Sequence, residues 1–374
     1  MNPSKNLYDF SVLHVATALS WRGGEQQVAY LVEELEKHKV RQYVLCSTGS
    51  EMEKYCISRS IPFFAFHKRS SFDLIYAKKI KDLCESNSIQ LVHTHDSHAH
   101  TFAVVAALFG NKAKIIVSRR VDFQVSSGPF SKYKYNHPLI GRILCVSEKI
   151  KQITSLAVDD NLKLVTVHSG IDIERFKGKT DQGILHKEYN LPTQTKIVAT
   201  IAALAPHKDF TTFVNTVEIL SDKLENTLFF IIGEGAEREK IEKSIVQKSL
   251  QHKIILTGFR NDVADILPEV DLLLITSETE GLGTSILDAF ACSVPVVATA
   301  AGGIPEIVIH QQTGLLADVR DGAGLAQNVL EVMNNQVLRN KLVAGALLHL
   351  NEFTKEYTAT KTLREYHAVI GSAL

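Results

Sequence analysis

The segment 278–289 (ETEGLGTSILDA) holds two acidic residues, Glu280 and Asp288, eight positions apart and beside two glycines. A strand-like run precedes the segment, and a helical pattern begins near residue 284. The free N–H groups and the positive dipole end of such a helix favour phosphate oxygens. Because eight residues span about two helical turns, both carboxylates can face one elongated ligand, Glu280 at sugar hydroxyls and Asp288 at ribose hydroxyls. The alternative is a structural helix N-terminus with Glu280 at a cap and Asp288 on a solvated face.

Four closely spaced histidines, His93, His95, His98 and His100, are candidate metal ligands. His93 and His95 share one face of a predicted strand. His98 and His100 fall in the following helix, where a spacing of two residues does not share a face. No cysteine lies nearby to complete a tetrahedral zinc site, and the chain has no Asp-x-Asp motif. We therefore expect no metal and no cofactor, with His95 alone at a ligand site.

A basic segment, 117–142, carries Arg119, Arg120, Lys132 and Lys134 with aromatic residues between them. Cations interleaved with aromatic rings suit sugar stacking, a phosphorylated acceptor or a membrane interface. A solvated basic loop is the alternative. These four cations are the candidate residues for contact with an acceptor.

Composition narrows the classes of function. The 374 residues include 41 Lys and Arg against 41 Asp and Glu, and this neutral total argues against a dedicated nucleic-acid binder. No apolar run approaches the roughly 18 residues that span a bilayer, and no apolar signal segment opens the sequence. The five cysteines form no CxxC pair, so we predict a cytoplasmic protein with reduced thiols.

The neutral total conceals an uneven distribution of charge between the two halves of the chain. Residues 1–176 carry 23 Lys and Arg against 17 Asp and Glu, whereas residues 177–374 carry 18 against 24. A basic first half suits an anionic acceptor or peripheral contact with the inner membrane surface. Ordinary scatter of charge is the alternative.

Apolar runs of strand length alternate with helical patterns along the whole chain, which is typical of βαβ units and parallel sheets. The predicted strands lie near 11–19, 42–48, 62–66, 90–95, 114–119, 142–147, 164–168, 196–204, 227–232, 253–257, 271–276, 295–299 and 314–316. The helical patterns lie near 25–38, 74–86, 97–109, 148–157, 210–223, 237–249, 262–268, 284–292, 304–310 and 323–348. The predicted fold class is therefore α/β, with two doubly wound, Rossmann-like domains that face each other across a cleft.

The predicted domains are 1–176 and 196–353. The polar segment 177–195 lacks a clear period and is predicted to be a linker. The amphipathic segment 354–374 is predicted to be a helix that packs back on the first domain.

The run EGLGTSILDAFACSVPVVATAAGGIPE resembles the signature of retaining glycosyltransferases of family 4, which have the GT-B fold. That signature is two acids eight positions apart, a Pro-Val-Val strand and a Gly-Gly turn. Further matches in the same order are WRGGE at 21–25, HTH at 93–95, VHSGID at 167–172, KIVATIAALAPHKD at 196–209 and GEG at 233–235. The resemblance covers nearly the whole chain and implies an acceptor-side first domain and a second domain that binds a nucleotide-sugar.

The resemblance implies roles for individual residues. Gly23 and Gly24 would let a loop close over the donor diphosphate, and Lys208 would neutralise the diphosphate as it leaves. His95 would face the donor sugar, and Glu280 would position that sugar. The residues implied to complete the donor site are Gly258, Phe259, Arg260, Gly281, Leu282, Gly283, Thr284 and Asp288.

Three residues depart from the family pattern. Asp288 replaces the usual second Glu, Ala203 stands where an arginine is common, and Ser169 stands where Asn is common. The activity implied is retaining, metal-independent transfer of a sugar from a nucleotide diphosphate, with UDP favoured, to a hydroxyl of a glycan or lipid-linked acceptor. The alternatives are an epimerase or phosphorylase of the same fold, or a nucleotide-sugar-binding subunit without catalysis.

Overall fold

A computed structural model gives the structure of the chain and describes residues 10–371. The described residues form two compact units. The first contains residues 10–170 and 355–371, and the second contains residues 171–354.

The first unit is built on a seven-stranded parallel sheet with the strand order β3-β2-β1-β4-β5-β6-β7. Its strands are β1 (Ser11–Ala16), β2 (Arg41–Ser47), β3 (Phe63–Phe66), β4 (Leu91–Thr94), β5 (Lys114–Arg119), β6 (Ile140–Cys145) and β7 (Leu164–Thr166). Its first six helices are α1 (Gly23–Lys37), α2 (Glu51–Arg59), α3 (Leu74–Ser86), α4 (Ser97–Leu108), α5 (Pro129–Asn136) and α6 (Glu148–Ser155).

The second unit is built on a six-stranded parallel sheet with the order β10-β9-β8-β11-β12-β13. Its strands are β8 (Lys196–Ile201), β9 (Thr227–Ile232), β10 (Ile254–Gly258), β11 (Leu272–Ile275), β12 (Val296–Thr299) and β13 (Leu315–Ala317). Its helices are α7 (Ile184–Glu188), α8 (Phe210–Leu220), α9 (Arg238–Gln247), α10 (Val263–Ile266), α11 (Thr284–Ala291), α12 (Ile304–Ile307), α13 (Gly322–Asn334) and α14 (Gln336–His349).

The last helix, α15 (Lys355–Ile370), belongs to the first unit although it follows the second in sequence. Ala359 and Tyr366 on this helix are fully buried, in one apolar cluster with Val12 of β1 and Leu35 of α1. The apolar face of α15 thus covers part of the first sheet.

The central strands of both sheets are buried on their two faces, so they read as continuous apolar runs rather than alternating ones. All four residues of β11 (LLLI) are buried, and so are all six of β1. The edge strand β3 (FFAF) is half-buried but equally apolar, and each predicted strand corresponds to an observed one. The α/β class with two doubly wound units is confirmed.

Strand order marks where ligands should bind. In each sheet the chain starts in the middle and reverses direction, between β1 and β4 in the first unit and between β8 and β11 in the second. Open α/β sheets bind ligands beyond the carboxyl ends of the strands at such a point. The loops after these four strands are therefore the expected positions for a ligand site.

Three helices were not predicted, and one predicted helix is broken. Helices α2, α5 and α7 fall in segments that the sequence left unassigned, and the pattern 323–348 is two helices, α13 and α14. Asn335 is extended between them, and its side chain accepts a hydrogen bond from Leu338 N, which caps α14. No helix among residues 10–371 is long and apolar enough to cross a membrane.

The segment 177–195, predicted as a linker, lies in the second unit and contains α7. The buried carboxylate of Glu269 accepts hydrogen bonds from Leu185 N at 2.9 Å and His186 N at 2.8 Å. A contact from a distant part of the chain therefore orders this helix.

Candidate functional site

The loop after β11 ends in an uncapped helix N-terminus. Gly283 precedes α11 with φ +94°, a conformation that side chains rarely adopt, and no side chain caps the helix. The first-turn N–H groups of α11 thus have no side-chain acceptor, and they carry the positive end of the helix dipole. This is the anion-favouring position that the sequence predicted near Thr284.

Lys208 and Glu280, 72 residues apart in the chain, meet at this loop. The ammonium group of Lys208 forms a close ion pair with Glu280 Oε2, and the two side chains are only 17% and 16% exposed. Ser277 Oγ lies 3.4 Å from the same carboxylate oxygen. The structure therefore brings together the predicted cation for the leaving group and the predicted acid for the sugar.

Backbone contacts hold the loops after β8 and β11 together. Glu278 N donates to His207 O at 2.8 Å, and Thr276 Oγ1 donates to Lys208 O at 3.1 Å and to Asp209 O at 3.0 Å. These bonds fix the backbone that carries Lys208. Its ammonium group is therefore positioned by the fold as well as by its pairing with Glu280.

The Gly-Gly turn after β12 packs on the backbone of Glu280. Gly303 N donates to Glu280 O at 2.9 Å. A Cβ atom on Gly302, whose φ is +53°, would lie 2.0 Å from the same carbonyl oxygen. Only glycine fits there, so this turn is a support for the acid's backbone.

Asp288 lies on α11, partly buried. Burial raises the pKa of its carboxyl group to about 7, and the positive charge of Arg175 only partly opposes this shift. Asp288 therefore changes its charge near neutral pH, which makes any hydrogen bond it accepts dependent on pH.

The loop after β10 presents Phe259, which is 78% exposed, beside Arg260. The guanidinium group of Arg260 pairs with Glu188 at 2.7 Å and with Asp262 at 2.7 Å. The family resemblance implied that Arg260 belongs to the donor site. In the structure its charge is already taken by two carboxylates, one of them from the 177–195 segment.

In the first unit, Gly23 and Gly24 begin α1. An added Cβ at either position would meet none of the described atoms within 4 Å, and neither residue needs a positive φ. Packing among the described residues therefore does not require glycine here.

His95 belongs to a buried group of three histidines that includes His14, which sequence reasoning missed. His95 Nε2 lies 3.0 Å from His14 Nδ1, and Arg120 donates to His95 Nδ1 at 3.4 Å and to His95 O at 3.2 Å. Because Arg120 can only donate, Nδ1 of His95 is an acceptor and its Nε2 donates to His14. Burial lowers the pKa of His14 to about 3 and that of His95 well below its usual value, so these rings are neutral.

The three ring nitrogens of His14, His93 and His95 lie within 4.8 Å of one another, a spacing that a metal ion could use. However, His93 already contacts Tyr366 OH at 2.6 Å and Ser118 Oγ at 2.8 Å. This pattern is that of a neutral hydrogen-bonded network. His98 and His100 lie on α4, as predicted.

The basic segment contains a largely exposed loop, 121–128, and helix α5, and two of its four predicted cations are buried. Arg119 and Lys134 are each 7% exposed. Lys132 lies at the surface, 3.9 Å from the carboxylate of Asp159. The four predicted acceptor-side cations therefore divide into buried or partly buried ones and one surface lysine.

Comparison with known families agrees with this geometry. Residues 21–175 match the family model described as Glycosyltransferase Family 4, and residues 181–347 match the one described as Glycosyl transferases group 1. Together the two matches cover most of the chain.

Three similar proteins illustrate the match. An uncharacterized glycosyltransferase of Methanocaldococcus jannaschii is 30% identical over 347 residues, 88% of this chain and 90% of that protein. The N-acetyl-alpha-D-glucosaminyl L-malate synthase of Bacillus anthracis is 26% identical over 304 residues, 80% of this chain and 78% of that protein. The crystal structure of Anabaena HepE in complex with UDP-glucose has a TM-score of 0.82 at 17% identity, covering 95% of this chain and 99% of that one, and it shows the fold.

Proposed function

Because the chain belongs to the family 4, group 1 glycosyltransferases, we propose that it transfers a sugar from a nucleotide diphosphate to an acceptor hydroxyl with retention of configuration and without a metal ion. UDP is the favoured nucleotide, and a glycan or lipid-linked molecule is the favoured acceptor. The UDP-glucose in the Anabaena structure and the α-linked glucosaminyl group in the name of the Bacillus relative support this choice.

The observation that carries the proposal is the Lys208–Glu280 pair beside the uncapped N-terminus of α11. A diphosphate against the first turn of α11 would receive backbone N–H groups and the helix dipole. Lys208 would then exchange its contact with Glu280 for a phosphate oxygen and neutralise the charge that develops as the bond to the sugar breaks. Glu280, released from the ammonium group, would accept hydrogen bonds from the sugar hydroxyls.

In the proposed reaction the bond between the anomeric carbon and the diphosphate oxygen breaks, and the acceptor oxygen bonds to the same face of that carbon. The acceptor proton passes to the departing phosphate oxygen. No separate base is needed, and the buried histidines are poor proton acceptors because burial lowers the pKa of His14 to about 3 and that of His95 well below its usual value.

The test uses Lys208→Ala and Glu280→Gln, with Lys223→Ala as the control because Lys223 is an exposed cation on the same unit. We expect turnover with UDP-sugars to fall about 10²–10³-fold in the first two variants, and to stay unchanged in the control. Circular dichroism and thermal melting would show that all three fold. NMR of the product would show the retained anomer, and added EDTA would leave the rate unchanged.

Several results would contradict the proposal. Full rates in both site variants would remove the assignment of the site. An inverted anomer would exclude the retaining route. Sugar release without an acceptor, or a requirement for phosphate, would favour an epimerase or a phosphorylase.

A further inference from the structure

Four cations surround the first turn of α4 without an acidic partner. Lys68, Arg119, Arg120 and Lys134 all lie at the carboxyl edge of the first sheet. Among residues 10–371, no carboxylate lies within ion-pair distance of any of them. Elsewhere in this unit a buried lysine is paired, since Lys355 lies 3.6 Å from Glu34.

Arg120 keeps hydrogen-bond donors free, and Lys68 has only neutral partners. Lys68 Nζ lies 3.2 Å from Thr17 O, 3.4 Å from Thr17 Oγ1 and 3.3 Å from His98 Nδ1, and its side chain is only partly buried. Within residues 10–371, the guanidinium group of Arg120 donates hydrogen bonds to His95 alone, and its Nε has no partner although it is shielded from solvent. A guanidinium group has five N–H donors, so most of those of Arg120 are unused.

The other two cations, Lys134 and Arg119, hydrogen-bond to groups of the first unit, and we assign them a role through their charge rather than through contact with a ligand. Lys134 Nζ donates to Ser97 O at 2.9 Å and to Thr101 Oγ1 at 3.0 Å, and Arg119 donates to Tyr135 OH at 2.9 Å. Burial, with the nearby charge of Arg119, lowers the pKa of Lys134 to about 8. The positive charge of Arg119 thus adds to the effect of burial in disfavouring the charged form of Lys134.

Burial lowers the pKa of Arg120 to about 10, and the charges of Glu25 and Asp96 only partly oppose this shift. The carboxylate of Asp96 accepts hydrogen bonds from Thr17 N at 2.6 Å, from Thr17 Oγ1 at 2.9 Å and from Ala99 N at 2.8 Å, so it caps α4. Two acids against four cations leave the edge with excess positive charge. Partly buried cations without a counter-ion are costly, and a bound anion would relieve that cost.

We propose that the acceptor carries an anionic group, a carboxylate or a phosphate, close to the hydroxyl that receives the sugar, and that Lys68 and Arg120 bind this group. The inference rests on the proposed transferase function and names the chemical class of its acceptor. Arg120 contacts His95 and Lys68 contacts His98, so both cations lie against the start of α4, where their charges can act on the same anion. The donor diphosphate already has Lys208 and the N-terminus of α11 in the other unit.

Binding without a donor gives the direct test. Inorganic phosphate and L-malate are titrated calorimetrically into the full chain, its Lys68→Met and Arg120→Gln variants, and Lys114→Met. Lys114 is an exposed cation at the opposite edge of the same sheet and is the matched control. We expect saturable binding to the natural protein and to Lys114→Met, weakened by added salt and at least about tenfold weaker in the other two variants. No saturable binding, or equal binding by all four proteins, would overturn the proposal.

UDP binding separates the acceptor from the donor. Unchanged affinity for UDP in Lys68→Met and Arg120→Gln would show that both variants fold and that these cations do not hold the donor. A tenfold loss of UDP affinity in both would assign them to the donor diphosphate and overturn the acceptor assignment. Arg120→Lys, which keeps the charge, should recover part of the anion affinity.

Transfer assays identify the source of the anion. L-Malate and glycerol 3-phosphate represent soluble acceptors, a short-chain lipid-linked sugar diphosphate represents lipid acceptors, and glycerol is the neutral control. Transfer to either anionic class, with KM raised at least about tenfold in the two variants, supports the inference. Transfer to glycerol with the same KM in all variants refutes the inference alone. Intact anion binding without any transfer refutes the proposed function instead.

Discussion

Gly302→Ala tests whether the Gly-Gly turn positions the site acid. The new Cβ would start 2.0 Å from the carbonyl oxygen of Glu280, whereas such contacts are essentially never shorter than 3.0 Å. The backbone of Glu280 or of the turn must therefore move by roughly 1 Å. A displacement of that size in a catalytic group can lower turnover about 100-fold.

In Gly302→Ala, the effect of backbone strain has to be separated from the effect of the steric clash with Glu280 O. Alanine at a left-handed φ costs about 1–2 kcal/mol by itself, and overpacking adds about 1–3 kcal/mol. Gly49 has φ +77° and no described atom within 4 Å of an added Cβ, so Gly49→Ala carries the strain without the collision. We expect both variants to melt at lower temperature, with the larger loss in Gly302→Ala.

The assay is turnover with a UDP-sugar at saturating donor, measured well below the melting temperature of each variant. Gly49→Ala should keep the natural rate, and Gly302→Ala should lose about two orders of magnitude. Equal rates in the two variants would show that the turn does not position Glu280, and the support assigned to it would be refuted.

Two further predictions concern Asp288 and Glu269. Because the pKa of Asp288 is about 7, its carboxylate gains charge as the pH rises from 6 to 8, and calorimetry should show UDP affinity rising over that range. Because the pKa of Asp288 is raised in the folded state, the stability of the fold should also fall as pH rises from 4 through 7. Asp288→Asn should flatten both the pH profile of UDP affinity and that of stability. An unchanged affinity profile in this variant would exclude Asp288 from the donor site. Glu269→Ala leaves two buried N–H groups without acceptors, so unfolding in urea should show a loss of about 2–4 kcal/mol and proteolysis should cut within 177–195. Glu188→Gln, which alters only a surface pair in the same segment, should lose under about 1 kcal/mol and resist the protease; equal cleavage of the two variants would contradict the role of Glu269.

The central strands could be predicted from sequence because they are buried on both faces, so that their composition is almost entirely apolar. The missed helices differ in this respect. Helix α2 buries only Met52 and Cys56, and its signal was the cap formed by Ser50 and Glu53, a pairing visible in the sequence. Helix α7 had no local signal, because the carboxylate that holds it comes from Glu269.

Some residues of the candidate site could likewise be predicted from sequence, and others could not. Glu280 and Lys208 could be found because motifs mark them, each just after a predicted strand. His14 and Lys68 could not. His14 lies inside an apolar strand and meets the other histidines only because β1 pairs with β4. Lys68 follows β3, at the far end of the sheet order, and reaches Thr17 through its side chain. Both contacts depend on strand order, which composition and spacing do not reveal.

The two units present their cations to ligands in different electrostatic states. Lys208 has a resident partner, so an anion that recruits it must first separate it from Glu280. Part of the attraction for that anion is therefore used to break an existing pair. In the proposed reaction the same step would free Glu280 to bind the sugar, so release of the acid would be coupled to arrival of the diphosphate.

Lys68 and Arg120 of the first unit have no carboxylate partner to lose among residues 10–371. Lys68 and Arg120 can accept an anion without displacing a carboxylate, so their attraction acts on the ligand in full, reduced only by salt. It follows that Glu280→Gln should strengthen the binding of free UDP at the second unit, because it removes the competitor for Lys208, while it lowers turnover about 10²–10³-fold. The same substitution should leave the affinity for phosphate at Lys68 and Arg120 unchanged. If UDP binding weakens instead, the carboxylate of Glu280 assists the nucleotide directly and the exchange of Lys208 between partners is wrong.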